Sequence, residues 1–251
     1  MVKPRKGARR LKRPQDIAAA LKRAAPRPSA DAPRDEKKNY AERFSRALAT
    51  LIANSLRPDF RGITPDPRGK RQEQPARTAK GVKKLDVNYS TPELGLGLGV
   101  SIKTVTHPDK ASNRFTKNLT RIDNELRAEA MDYHVRQPYA VLVSVLFLPM
   151  DAAMELETQK DSPSSFAAAV RSMRFRAGRV LPIGEPELFE AAFVALYEPG
   201  GPTKGAVRFF DVRNAPPRRG MPNNTLTLAQ FVEQVRFVYD ARNNPSFEYA
   251  D

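Results

Sequence analysis

Tyr139-Ala140-Val141-Leu142-Val143-Ser144-Val145-Leu146-Phe147-Leu148 forms most of the longest apolar run in the chain, which ends at Met150. It has the length of a strand, is rich in valine, and follows directly on Pro138. It lacks the polar alternation of a strand with one wet face. Such a run predicts a strand covered on both sides, central in a sheet. Covering both faces takes helices on each side, so this run implies an α/β domain.

The flanking sequence supplies those parts. Residues 118–136 read as a helix with Leu119, Ile122, Leu126, Ala130, Met131 and Val135 on its inner side, ended by Pro138. Before it, Val100-Ser101-Ile102-Lys103-Thr104-Val105 reads as a strand whose alternation puts Ser101, Lys103 and Val105 on one face. Earlier still, Leu85, Val87 and Tyr89 alternate with Asp86, Asn88 and Ser90, the period of a second strand. Between the two, Gly95, Gly97 and Gly99 predict a wide hairpin turn. They lack the lysine of a phosphate loop and the spacing of a dinucleotide loop. Downstream, residues 163–178 predict a helix, 207–212 a strand and 226–242 a closing helix, while 188–197 fit either type.

Upstream, Tyr40, Phe44, Leu48, Leu51, Ile52 and Leu56 recur at helical spacing over residues 38–56, and Pro58 stops them. Residues 57–80 predict a long loop with one short strand near Phe60 to Ile63. Residues 14–24 predict a short helix, and 25–36, with Pro26, Pro28 and Pro33, a linker. The organisation expected is a mixed central sheet flanked by helices over 37–251, preceded by a basic, Pro-rich arm over 1–36. That arm is expected to be largely disordered alone, or to wrap DNA.

The chain has 251 residues and a formal net charge of +15. Residues 1–84 hold 24 Lys and Arg against 8 Asp and Glu, whereas residues 85–251 hold 19 against 20. The surplus therefore lies in the first third, the footprint of a polyanion binder. Arg9, Arg10, Lys12 and Arg13 are candidate phosphate contacts, as are Lys110, Arg114, Lys117 and Arg121 in and after the polar loop 107–117. The absence of cysteine excludes disulfides, thiolate metal sites and a cysteine nucleophile, and two histidines, His107 and His134, disfavour a zinc site. No segment reaches the ~18 apolar residues of a membrane span, and no apolar stretch follows the basic N-terminus. A cytoplasmic protein without a membrane partner is expected.

Asp86 on one strand, Lys103 on the next, and Asp123, Glu125 and Glu129 on the following helix could cut a phosphodiester without histidine or cysteine. A hard divalent cation held by one or two carboxylates polarises the phosphate and activates water, and a lysine beside it stabilises developing charge. The same residues also fit plainer roles: Asp86 facing solvent, Lys103 guarding a sheet edge, and Glu125 and Glu129 pairing with Arg121 and Arg127.

At Leu85-Asp86-Val87-Asn88-Tyr89 and Val100-Ser101-Ile102-Lys103-Thr104 the chain resembles the PD-(D/E)xK nuclease superfamily, and within it the type II restriction endonucleases. The resemblance covers Leu85 to Leu148, about a quarter of the chain. It implies a restriction-endonuclease-like core, with Asp86 as first carboxylate and Lys103 as catalytic lysine. Ser101 stands where an acid is expected; in a subgroup of these enzymes that position is Ser and a glutamate from the next helix replaces it, which here implies Glu125 or Glu129. Glu93 is a further replacement, and Glu42 an accessory metal ligand. Implied with them are Mg²⁺ or Mn²⁺, double-stranded DNA, a homodimer, a restriction or phage-defence role and a cognate methyltransferase. The residues alone leave a second reading open, a non-catalytic DNA- or RNA-binding protein, and a third, a basic subunit docking an acidic partner.

Overall fold

The computed structural model describes residues 17–93, 95–155 and 162–243. Helix α1 (Ala18–Ala24) buries Ala20, Leu21 and Ala24 against α2 (Arg34–Leu56), so residues 17–24 of the predicted arm are packed into the body, whereas most of 25–36 is exposed. Ile17 is sealed in the same cluster, and its N–H donates to the Gly205 carbonyl at 2.8 Å. The candidate contacts Arg9, Arg10, Lys12 and Arg13 lie outside the described residues.

The loop expected over 57–80 ends in a strand that sequence periodicity did not show. β1 (Gln74–Thr78) pairs antiparallel with β2 (Gly81–Leu85) as a separate two-stranded ribbon. The predicted strand at 85–90 is thereby split. Its first residue closes β2, and β3 (Val87–Thr91) begins after a bend at Asp86 and joins another sheet. β4 (Gly95–Thr104) starts within the glycine run, so that run is strand and not turn. A Cβ on Gly99 would meet Leu85 Cδ1 and Leu142 Cδ2 at 2.8 Å. Glycine at 99 is what lets Leu85 lie flat on the sheet and bring the chain to Asp86.

Helix α3 (Leu119–Arg136) leads to β5 (Val141–Pro149), every residue of which is buried. The short α4 (Asp151–Met154) and α5 (Ser165–Arg174) precede β6 (Ala191–Tyr197), then come β7 (Val207–Asp211) and α6 (Leu228–Arg242). The main sheet has the order β3-β4-β5-β6-β7. The β4–β5 and β5–β6 pairs are parallel and the outer pairs antiparallel, so the sheet is mixed and β5 is its central strand. Alternate residues of the strands feed two cores. Val100, Ile102, Val143 and Phe193 join α2 and α6; Leu142, Leu146 and Val194 join α3 and α5. This is an α/β fold with helices on both faces of a mixed five-stranded sheet. The α3 face is rotated from the expected one: Tyr133 is buried with Ile122, Leu126 and Ala130, whereas Met131 and Val135 are exposed. Among the described residues no helix is long and apolar enough to cross a membrane.

Candidate functional site

The candidate residues meet where β4 outruns its neighbour. Val87 is the first β3 residue to pair, opposite Val100, so Ile102 has no strand partner on that side. Its N–H would be an unpaired edge donor, and the Asp86 carboxylate takes it, Oδ2 accepting at 2.7 Å. The bend that moves the chain from ribbon to sheet thus fixes Asp86 against β4. Ser101 and Lys103 project from β4 toward α3. There Ser101 Oγ donates to Glu129 Oε2 at 3.0 Å, and Lys103 Nζ lies 3.4 Å from the same oxygen and 3.6 Å from Glu125 Oε2.

Of the two helix glutamates, Glu129 is the inner one. Its side chain is 14 % exposed and directly caps Ser101, whereas Glu125 is 41 % exposed and shares its charge with Arg121 at 2.5 Å. Glu93 and Glu42 do not join the group. Glu93 lies in the turn between Thr91 and Gly95, at the end of the β3–β4 hairpin opposite Asp86. Glu42 is on α2, which packs on the other face of the sheet, and it pairs with Lys38 at 3.8 Å on the exposed side.

Two residues that the sequence reading did not single out do join it. Glu73 immediately precedes β1. Because Gln74 pairs with Leu85, Glu73 stands across the extended ladder from Asp86, and its charge acts on that carboxyl. Tyr133 follows Glu129 by one helical turn, and its buried hydroxyl has no hydrogen-bond partner. The spacing of Glu125, Glu129 and Tyr133 on one helix face was the available signal for Tyr133. Ser144, the β5 register partner of Ser101, has a second buried hydroxyl without a partner.

The electrostatics follow from this crowding. Burial pushes the Asp86 carboxyl up to about 7; Glu129 and Glu73 add to the rise, and the Ile102 N–H and Lys103 oppose it. Burial works against the Lys103 charge, but Glu129, Asp86 and Glu125 outweigh it and raise its pKa, so the ammonium stays protonated. Burial, Glu129 and Asp86 all push the Tyr133 phenol up. Arg121 is drawn to Glu125, and Arg46 and Lys84 flank Glu73 at 3.5 and 3.8 Å, so the two inner acids Asp86 and Glu129 are left to share Lys103; with orphaned hydroxyls beneath, that inner excess of acid fits a divalent cation. Among the described residues no three acid or imidazole groups already converge to enclose one. A cation of the Mg²⁺ type needs only one or two carboxylates, with waters and phosphate oxygens completing its shell. Asp86 and Glu129 could supply them.

The cations predicted to face DNA in the following segment are engaged locally. Lys110 lies 3.6 Å from Asp31, Arg114 lies 3.5 Å from Glu155 and donates to the Pro163 carbonyl, Lys117 pairs with Asp109, and Arg121 pairs with Glu125. His107 bridges the Thr106 hydroxyl at 3.0 Å and the Pro28 carbonyl at 2.9 Å, a structural role. A cavity of about 630 Å³ beside it contains none of the cluster residues. Its Arg27 donates to the Thr106 carbonyl and its Arg114 lies 3.5 Å from Glu155. No protein-family model, curated protein or solved structure matches the chain.

Proposed function

We propose that the protein is a Mg²⁺- or Mn²⁺-dependent endonuclease hydrolysing phosphodiester bonds of double-stranded DNA, of the restriction or phage-defence kind. The observation that carries this reading is the convergence of Asp86, Ser101-bound Glu129 and Lys103 at one end of β4. Asp86 and Glu129 would hold the cation, which when bound polarises the phosphate and eases ionisation of an attacking water.

The protein groups have separable tasks. Ser101 orients Glu129 by donating to Oε2, so the helix glutamate replaces an acid missing from the strand. Lys103, protonated and 22 % exposed, cannot serve as a base. It positions the attacking water and offsets the charge growing on the phosphoryl oxygens. Asp86, with its pKa near 7, is only partly ionised in the free protein at neutral pH. Its proton must leave before the carboxylate can ligate, so activity should rise with pH through this range. A homodimer belongs to the same proposal, since two symmetry-related sites cut both strands most simply, and so does a methyltransferase that shields host DNA.

The test is incubation of the purified protein with plasmid, in Mg²⁺ or in chelator, beside Asp86→Ala and Lys103→Ala. Cleavage that needs the metal and falls at least about 10²-fold in each variant, with duplex binding retained, is the expected outcome. Full cleavage by both variants rules the site out. Salt-dependent binding with no cleavage in any metal leaves the protein a non-catalytic binder.

A further inference from the structure

The segment that delivers Asp86 has a surface of its own. Residues 68–84 contain Arg68, Lys70, Arg71, Arg77, Lys80, Lys83 and Lys84 against one acid, Glu73. Most of this stretch is the β1–β2 ribbon, whose two faces differ. Ala76, Thr78 and Leu85 are buried. Directly opposed residues in an antiparallel pair share a face, so the pairs Pro75–Lys84 and Arg77–Val82 form the outer side, and all four residues are exposed. Val82, an aliphatic residue 65 % exposed, stands between cations.

The ribbon is also held in place. The Ala79 N–H donates to the Asp132 carbonyl at 2.9 Å, and the Asp132 carboxylate pairs with Lys83 and, at 3.6 Å, with Lys80. Gln137 Nε2 donates to the Arg77 carbonyl at 2.7 Å. Among the described residues no such contact engages the Arg77 or Val82 side chain, and Lys84 lies 3.8 Å from Glu73. The result is an anchored two-stranded element that presents Arg77, Val82 and Lys84 outward. It runs without a break into the residue at the heart of the candidate site.

We infer that the outer face of the β1–β2 ribbon is the surface that grips duplex DNA next to the scissile phosphate, with Arg77 and Lys84 on backbone phosphates and Val82 toward the base edges. The inference deepens the nuclease reading and rests on it. Charge complementarity selects a polyanion. Shape selects the duplex: the major groove of B-DNA, about 12 Å wide, admits a two-stranded ribbon, whereas the deep, narrow major groove of A-form RNA does not. Position selects the role, since Lys84 is two residues from Asp86.

Binding to a short duplex, measured without a divalent metal at several salt concentrations, tests this. Each lost phosphate contact should reduce the slope of log K against log [salt] by about 0.9. The variant Arg77→Ala/Lys84→Ala should therefore lose roughly 2 units of slope while its melting temperature stays near that of the parent. Lys110→Ala/Lys117→Ala is the comparator and should lose less. Because the chain has no cysteine, Val82→Cys also provides a unique thiol for a photo-crosslinker, which should capture the duplex. The same reagent at Phe237→Cys, an exposed position on α6 across the sheet, should not. An undiminished slope in the ribbon variant, or capture from position 237 and not 82, overturns the inference while plasmid cleavage by the parent leaves the nuclease reading intact. Equal ribbon-dependent binding of an RNA duplex overturns the assignment to DNA. Absence of duplex binding by the parent defeats both.

Discussion

Two charged clusters sit on the α3 side of the sheet, and they are built on opposite rules. Around Glu190 one carboxylate receives the Leu142 N–H at 2.7 Å, Arg242 at 2.8 Å and Arg179 at 3.0 Å, with His134 Nε2 at 3.3 Å. All of these side chains are almost fully sealed from solvent. Burial works against the Glu190 charge, but His134, the Leu142 N–H and Arg179 hold its pKa below the usual value. Around Asp86 the balance is reversed. Asp86, Glu129 and Glu73 crowd together with Lys103 as the inner cation, the group opens to solvent, and Asp86 is pushed up to about 7. A cluster in which both oxygens of the one carboxylate are paired ties elements together. One that leaves an acid destabilised stores a preference for an incoming cation.

Exchanging the perturbations should separate the two most sharply. Glu129→Gln is expected to lower metal-dependent cleavage by at least about 10²-fold and to change stability by less than ~1 kcal/mol, because relief of Asp86 offsets the lost Lys103 pairing. Glu190→Gln is expected to do the reverse. It leaves two buried arginines undercompensated at a cost of about 3 kcal/mol, which lowers the melting temperature by roughly 6–12 °C in a chain of this size, with cleavage per folded molecule preserved. Melting curves and initial rates on the same preparations check both arms. A stable Glu190→Gln protein with no cleavage would erase the distinction.

The pH response gives a smaller difference with a definite sign. Asp86 titrates near 7 in the folded chain and near 3.9 when unfolded. Between those values the folded state holds the extra proton, so stability attributable to this group is full below about pH 4 and is lost as pH rises toward 7. Asp86→Asn keeps an oxygen for the Ile102 N–H and removes the charge. It should melt roughly 2–8 °C higher than the parent at pH 7.5 and equal it near pH 4, while cleaving nothing. Mg²⁺ should raise the parent's melting temperature increasingly above pH 7 and leave that of Asp86→Asn unmoved. Parallel pH dependence in the two proteins would show that Asp86 does not carry the strain.

The same contrast explains what the sequence could disclose. β5 was legible because burial on both faces leaves an unmistakable apolar run, and the register of Ser101 and Lys103 followed from simple alternation. β1 was not, because Gln74, Pro75 and Arg77 serve a ribbon with one wet face and have no apolar period to reveal it. The bend at Asp86 was hidden for a related reason. Alternation continues through it, from Leu85 to Val87, while the chain changes sheets. Glu73 enters the site only through ladder register, which no local pattern encodes. Glu42 was readable in hindsight: it lies two residues from both Tyr40 and Phe44, about 200° around the helix from the buried face.

The finest discrimination lies between the two glutamates one turn apart on α3. Both touch Lys103, at 3.4 Å from Glu129 and 3.6 Å from Glu125, so distance alone does not rank them. Their other partners do. Glu129 accepts from Ser101 and faces the protein, whereas Glu125 is drawn outward by Arg121. An exposed pair of that kind contributes a few tenths of a kcal/mol. Glu125→Gln should therefore reduce cleavage by no more than about 3-fold, with added salt narrowing the gap because the exposed charge is screened. Against the large loss expected for Glu129→Gln, equal effects of the two substitutions would place the cation between the glutamates and away from Ser101.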